Sequence, residues 1–146
     1  MKKLIALFAL VLLTACNTQK KYSDFDYSYS RSGGCAPIYE NLLIKNKSAH
    51  YSFEGQGKNI KKDFSITAED QSNIQKVLEE NNFRMIREDY KKLYDFISTS
   101  INVKKGSQSA SKTDASLIMP SDQKRWENVQ QVFQDIINRN IATTTK

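Results

Sequence analysis

The chain has few of the residues that enzymes use for chemistry. Its 146 residues include one histidine, His50, and two cysteines, Cys16 and Cys35. General acid–base catalysis relies most often on histidine, and zinc sites are built from histidine, cysteine and carboxylates at regular spacings. His50 falls on the polar side of an alternating segment, so we expect an exposed histidine rather than a catalytic base. We therefore expect no catalytic residue, no metal site, no cofactor and no enzymatic activity.

The remaining chemical motifs are weak. The carboxylates of Asp24 and Asp26 belong to the solvent side of a predicted strand, and the other acidic pairs are neighbours that would diverge by about 100° on a helix. The Gly33-Gly34 pair lies between two predicted strands and lacks the Lys-Ser/Thr ending of a phosphate-binding loop. A nucleophile–base pair of Cys35 and His50 is the one enzymatic alternative that the sequence leaves open.

Long hydrophobic runs are also scarce, and the single clear one lies at the N-terminus. Residues 4–15 are apolar or small and follow Lys2 and Lys3. Twelve residues are too few for a permanent membrane-spanning helix, which needs about 20. A basic start, a short apolar stretch and small residues at its end predict a signal peptide over residues 1–15.

The end of this run, Leu13-Thr14-Ala15-Cys16, resembles the lipobox of bacterial lipoproteins. The resemblance implies lipidation of Cys16 after removal of residues 1–15, membrane attachment through that residue, and a tether over residues 16–23. Asn17 instead of Asp resembles an outer-membrane address facing the periplasm; the inner cell membrane is the alternative. An ordinary secretory signal with an incidental cysteine is the other interpretation, and both take the chain out of the cytoplasm.

The chain beyond the predicted signal is large enough for one domain. Removing 15 residues from 146 leaves 131, with 20 basic and 16 acidic residues and a formal charge of +4. The lysines are spread out rather than gathered in one block, so nucleic acid is not an expected partner. If Cys16 carries lipid, Cys35 has no intrachain disulfide partner. We expect Cys35 to be a small buried residue; a reactive thiol or an intermolecular bridge is the alternative.

Alternation and turn signals predict an α+β fold. Strands are expected over residues 24–30, 38–45, 49–54, 60–66 and 97–104, with a weak edge strand over 108–112, while residues 83–96 are ambiguous. Thr67 and Asp70 form a partial capping box for a helix that ends at Asn81-Asn82. Ser121 is the predicted N-cap of a second helix. Its apolar face consists of Trp126, Val129, Phe133, Ile136 and Ile137. The prediction is an antiparallel sheet of about four to six strands with two amphipathic helices on one face, forming a single domain over residues 24–141 with a frayed tail at 142–146.

One predicted loop stands out. Residues 31–37 follow a strand, contain two glycines able to adopt positive φ, and end in a proline. A tight connection between strands explains this composition, and an exposed recognition loop is the functional alternative. The candidate interaction residues are Arg31, Ser32, Gly33, Gly34, Cys35 and Pro37.

The same loop carries a second resemblance. Tyr29-Ser30-Arg31-Ser32-Gly33-Gly34-Cys35-Ala36 is similar to the Arg-Ser-Gly-Gly-Phe-Ala-Gly start of the emfourin-like family, and Asp95-Phe96 with the strand and helix that follow is similar to its later segment. Small bacterial lipoproteins with the same layout are also similar. Cys35 stands where the family has an aromatic residue, and Pro37 where it has glycine. The resemblance implies inhibition of thermolysin-like zinc metalloproteases.

Three functions are therefore expected in order of preference. The first is a lipid-anchored, non-enzymatic envelope domain that binds an unidentified envelope protein, with a protease as one candidate, through residues 31–37. The second is a structural or assembly lipoprotein that acts by tethering, with the sheet edge near residues 108–112 pairing to another chain. The third is an unrecognised enzyme.

Overall fold

The computed structural model describes residues 23–142. The predicted signal peptide, Cys16 and all but the last residue of the predicted tether lie outside the described residues, as do residues 143–146. The predictions about cleavage, lipidation and fraying at those positions remain predictions.

The described residues form one six-stranded antiparallel sheet. Its strands lie in the order β4-β3-β2-β1-β5-β6, so consecutive strands pair as hairpins except where β5 returns to pair with β1. This confirms the predicted α+β fold with an antiparallel sheet. The strands are β1 Tyr27–Gly33, β2 Ile38–Lys45, β3 Ser48–Gly55, β4 Lys58–Ser65, β5 Ile97–Val103 and β6 Ala110–Thr113.

Strand alternation places one set of side chains in the core. Tyr29 of β1 lies between Leu42 of β2 and Ile101 of β5, and all three are buried. Phe133 from the second helix stacks on the Tyr29 ring with a centroid separation of 5.6 Å. The opposite face of the central strands carries serines, such as Ser30, because side chains along a strand alternate between faces.

Two helices complete the fold, α1 Ala68–Glu80 and α2 Gln123–Ala142. The predicted capping box is confirmed: the Thr67 hydroxyl accepts from the Asp70 amide, and the Asp70 carboxylate accepts from the Thr67 amide, both at 3.0 Å. Asn82 adopts the predicted left-handed conformation, with φ of 50°. The predicted N-cap Ser121 is wrong, because a 3-10 turn over Pro120–Asp122 precedes α2, which begins at Gln123. The predicted apolar face of α2 is buried as expected: Trp126, Val129, Phe133, Ile136 and Ile137.

Polar contacts show how α2 lies on the sheet. Near its start, the Trp126 indole donates to Asp114, just beyond β6, at 3.0 Å. In its middle, Gln134 contacts the Tyr29 hydroxyl of β1, and near its end the Asn140 carbonyl accepts from Lys62 of β4. The helix therefore crosses the strands from one sheet edge to the other.

The ambiguous segment 83–96 is a long connection held by a buried carboxylate. It begins with a 3-10 turn over Phe83–Met85 and then forms one isolated bridge, between Glu88 and Ile118. Asp122 accepts from the Arg87 backbone amide at 3.0 Å and pairs with the Arg87 and Arg125 side chains. Arg125, followed by Arg87, holds the pKa of Asp122 far below its ordinary value against the opposing effect of desolvation. The segment is thus fixed to the start of α2.

Candidate protein-binding surface

The candidate interaction residues lie partly in a strand. Residues 31–33 are the last part of β1, where Arg31, Ser32 and Gly33 pair with Glu40, Tyr39 and Ile38 of β2. Only residues 34–37 form the turn. The predicted seven-residue loop is therefore wrong at its start, because the ladder continues three residues beyond the last clear alternation at Ser30.

Both glycines are required by this local geometry. Gly33 has φ of 105°, and a Cβ placed on it would lie 2.7 Å from the Phe96 carbonyl oxygen. Gly34 has φ of 91°, and its Cβ would lie 3.1 Å from Cγ1 of Ile97. Side chains rarely adopt such φ values, and the contact at Gly33 leaves no space for one. The turn therefore lies directly against the segment that enters β5.

This contact joins the two segments that carry the emfourin-like resemblance. The first contains Gly33 and Gly34, and the second contains Asp95 and Phe96. They are far apart in the chain, and the pairing of β1 with β5 places Gly33 opposite Ile97. The strand pairing therefore places these two segments side by side in the folded domain.

Exposed hydrophobic side chains lie on β2 just after the turn and on the segment that enters β5. Tyr39, the second residue of β2, is 61% exposed, and Tyr94 is 82% exposed. Leu93 and Ile97 are each more than one third exposed on the segment that enters β5. We call residues 34–37 and 93–97 together with Tyr39 the distal rim. Sequence reasoning did not identify the exposed side chains of Tyr39, Leu93, Tyr94 and Ile97, although Leu93 and Tyr94 occur in a segment without the periodicity that would give them a buried side.

A hydrogen-bonded cluster supports the rim from the helix-covered side of the sheet. Glu40 is 7% exposed and pairs with the Arg31 guanidinium at 3.1 Å. Its other carboxylate oxygen accepts from the Tyr51 hydroxyl at 2.8 Å. Burial, followed by the hydrogen bond to Glu40, raises the pKa of Tyr51. Three neighbouring strands are thereby linked, and Arg31 is held in one position next to the turn.

Tyr29 continues this support toward α2. Its ring is buried, and its hydroxyl contacts the Gln134 side chain. Burial raises the pKa of Tyr29 to about 12, so the hydroxyl stays protonated at neutral pH. The strand that carries Arg31 is therefore fixed to both the sheet and the helix layer.

Cys35 lies in the turn and is exposed. The expectation that Cys35 is buried is wrong, because the turn projects beyond the ladder and neither α1 nor α2 covers it. His50 contacts Asp63 on β4 and pairs in register with Leu43. Leu43 is five residues along β2 from the start of that strand, which corresponds to roughly 17 Å. The structure therefore does not bring Cys35 and His50 together.

A groove between α1 and α2 has a volume of about 780 Å³. Glu69, Lys76 and Asp135 line it, and the ion pair of Asp70 with Arg139 lies in its lining. This ion pair joins the two helices. Within residues 23–142, no three His, Cys, Asp or Glu side chains are placed to hold a metal ion.

No helix within the described range is both long and apolar enough to cross a membrane. Comparison of the chain with protein-family models and with curated proteins finds no match.

Proposed function

We propose that this chain is a lipid-anchored envelope protein whose domain binds a protein partner through the distal rim, without catalysis. One observation carries the proposal: exposed tyrosine and aliphatic side chains lie on β2 just after the glycine turn and on the segment that the turn contacts, where two strands and a connecting segment meet. Anchorage rests on the resemblance of Leu13-Thr14-Ala15-Cys16 to a lipobox.

The chemistry of the rim suits a protein rather than a small molecule. Tyrosines such as Tyr39 and Tyr94 provide a large contact area and a polar hydroxyl, and they are enriched at protein interfaces. The turn itself contains no charged side chain, and the neighbouring Arg31 is held by Glu40. A rigid, mainly uncharged rim loses little side-chain entropy when a partner binds.

Capture from envelope extracts tests this surface. The bait is the chain from residue 16 with Cys16→Ser, so that only the domain is compared. We expect Tyr39→Ala combined with Tyr94→Ala to remove specific partners. Met85→Ala is the matched control, because Met85 is 62% exposed but lies outside the rim. Identical partner sets for bait and double variant would exclude the rim.

A zinc metalloprotease of the thermolysin type is the partner class that the resemblance favours. Added domain is then expected to slow cleavage of a peptide substrate by such a protease in proportion to its concentration. The double tyrosine variant should slow it less. Absence of any slowing at a stoichiometric excess would reject inhibition and leave protein binding to be judged by the capture experiment.

Tethering for assembly is the second candidate function. The observation that favours it is β6, a strand of only four residues, Ala110–Thr113, that forms one edge of the sheet. A tethering role should be lost with Cys16→Ser in cells, whereas binding by the soluble domain should persist. Mass spectrometry of the native protein, which should show acyl groups on Cys16, tests the anchor itself.

A further inference from the structure

The end of the sheet opposite the distal rim is where the predicted tether joins the domain. Asp26 extends the ladder just before β1: its amide donates to the Ile44 carbonyl at 2.7 Å, and its carbonyl accepts from the Lys104 amide at 2.9 Å. Because β1 runs from this end to the turn, the chain enters the domain at the far side from residues 34–37. We call this the tether end.

Side chains fix the direction in which the chain enters. The Lys104 ammonium donates to the Ser23 carbonyl at 2.8 Å and lies 3.8 Å from the centre of the Phe25 ring. The Asp26 carboxylate accepts from the Asn46 amide at 2.8 Å. Residues 23–26 are thus part of the folded domain, and residues 16–22 of the predicted tether lie outside the described residues. Seven residues from Cys16 span at most about 25 Å.

The turns at the tether end carry positive charge. Lys47 lies in the β2–β3 turn, and Lys104 and Lys105 begin the β5–β6 turn; all three are exposed. Two further lysines, Lys20 and Lys21, lie in the predicted tether. A short tether therefore brings several lysines close to whatever surface holds Cys16.

Most carboxylates at this end are already matched by cations. Asp24 and Asp26 both pair with Lys45, at 2.9 and 3.3 Å. Asp70, at the start of α1, pairs with Arg139. Glu69 is the exposed carboxylate that remains in the first turn of α1. Because two aspartates share Lys45 and Glu69 remains, the three lysines of the two turns leave these groups with an excess of only one positive charge.

We propose that the tether end is a contact surface for anionic lipid headgroups, which hold the sheet upright on the membrane and direct the distal rim away from it. The inference rests on the proposed lipid anchor. Lysines near an anionic bilayer are attracted to it over about one Debye length, roughly 8–10 Å. A tether of at most about 25 Å allows Lys47 and Lys105 to approach within that reach, where the attraction then holds them. β1 has seven residues, so its far end stands roughly 23 Å above its start.

The exposed thiol of Cys35 offers a direct measurement of this height. The lipidated protein, labelled at Cys35 with a fluorescent donor, is reconstituted into vesicles that contain an acceptor lipid. With phosphatidylglycerol in the bilayer, we expect weak energy transfer because Cys35 is held about 20 Å or more from the surface. With phosphatidylcholine alone, or at about 1 M salt, where the Debye length is about 3 Å, transfer should rise as the domain tilts.

Charge reversal identifies the residues responsible. Lys47→Glu combined with Lys105→Glu should raise transfer on phosphatidylglycerol vesicles to the level seen with phosphatidylcholine. Lys58→Glu combined with Lys61→Glu is the matched control, because these exposed lysines lie on β4, away from the tether end. Circular dichroism should be unchanged in both variants, since the substituted lysines are exposed.

The outcomes separate this inference from the proposed function. A native protein without lipid on Cys16, which does not float with vesicles, would overturn the anchor and the inference with it. A lipidated protein whose Cys35 height is the same on both vesicle types and in both variants would overturn the inference alone. Equal loss of height in both double variants would also overturn it, since total charge rather than the tether end would then control orientation.

Discussion

The two ends of the sheet are built differently. At the tether end, ion pairs and backbone hydrogen bonds hold the entering chain: Asp26 with Lys45 and Asn46, and Lys104 over Phe25. At the distal rim, two glycines bring backbone segments into direct contact, and Tyr94 and other apolar side chains remain exposed. One end uses polar groups to fix the chain, whereas the other uses backbone geometry to present side chains.

The largest effect is expected from a side chain added to Gly33, the residue of β1 next to the distal rim. Gly33→Val requires a valine at φ of 105° with its Cβ 2.7 Å from the Phe96 carbonyl oxygen. Strain of this kind, together with the steric overlap, should lower the free energy of unfolding by about 3 kcal/mol. Chemical denaturation measures this fall in the free energy of unfolding.

Gly57→Ala is the control for that variant. Gly57 has φ of 73°, but a Cβ added to it would meet no other atom within 4 Å. Only the cost of placing alanine at a positive φ applies, so we expect the free energy of unfolding to fall by about 1 kcal/mol. Equal losses in the two variants would show that φ alone, and not the contact with Phe96, makes the turn glycine-specific.

The cluster beneath the rim should show an intermediate effect. Tyr51→Phe removes the hydroxyl that donates to Glu40 and leaves a buried carboxylate oxygen with one partner fewer. We expect a loss of about 1–2 kcal/mol. Tyr39→Phe, at a position 61% exposed, should change stability little. If Tyr51→Phe leaves the free energy of unfolding unchanged, Arg31 alone holds the Glu40 carboxylate in place.

A smaller effect is expected where α1 begins, near the tether end. Thr67→Ala removes the hydroxyl that caps the Asp70 amide. Such caps contribute about 1 kcal/mol. Ser72→Ala, on an exposed position of the same helix, should be neutral or slightly stabilising because alanine favours helix. Thermal unfolding of the two variants distinguishes a specific cap from general helix propensity.

Acid should loosen the tether end. Desolvation, the largest single influence on Asp26, would raise its pKa, but the Asn46 amide and Lys45 together outweigh it and lower the pKa. For Asp70, Arg139 and Thr67 likewise outweigh desolvation and lower the pKa. A lowered carboxyl pKa stabilises the fold above the unfolded value near 4, and this contribution is lost as pH falls through the folded value.

Alkali should instead loosen the sheet beneath the distal rim. Burial raises the pKa of Tyr29 to about 12 and also raises that of Tyr51. A raised tyrosine pKa contributes stability below about pH 10, which is lost as pH rises through the folded value. Hydrogen exchange, corrected for intrinsic rates, should show protection lost at the tether end and around Asp122 in acid, and first beside Glu40 in alkali. The reverse order would contradict the comparison.

Local patterns predicted most of the fold. Alternation located the strands because successive side chains along a strand point to opposite faces, one buried and one solvated. The predicted bounds of β2 agree with the observed ones. The capping box at Thr67 was predicted because it is also a local feature: its donors and acceptors lie on residues only three positions apart. The predicted N-cap of α2 was wrong, because the Pro120–Asp122 turn is held by distant Arg87.

Long-range contacts produced what local patterns missed. The exposure of Cys35, Tyr39 and Tyr94 depends on where the two helices lie, since both pack on the sheet away from the distal rim. The buried position of Glu40 was also missed. Its sequence neighbours give no sign that Arg31 and Tyr51, on adjacent strands, would satisfy its carboxylate.

The sequence by itself determined the classes of element, their order and the amphipathic faces, because these follow from interactions between residues close in the chain. Only the tertiary structure decided that β5 pairs with β1, which brings Phe96 against Gly33 and creates the rim. It also decided that the chain enters at the opposite end. Both are consequences of strand pairing across long loops, whose register is set by burial of the whole core rather than by any local motif.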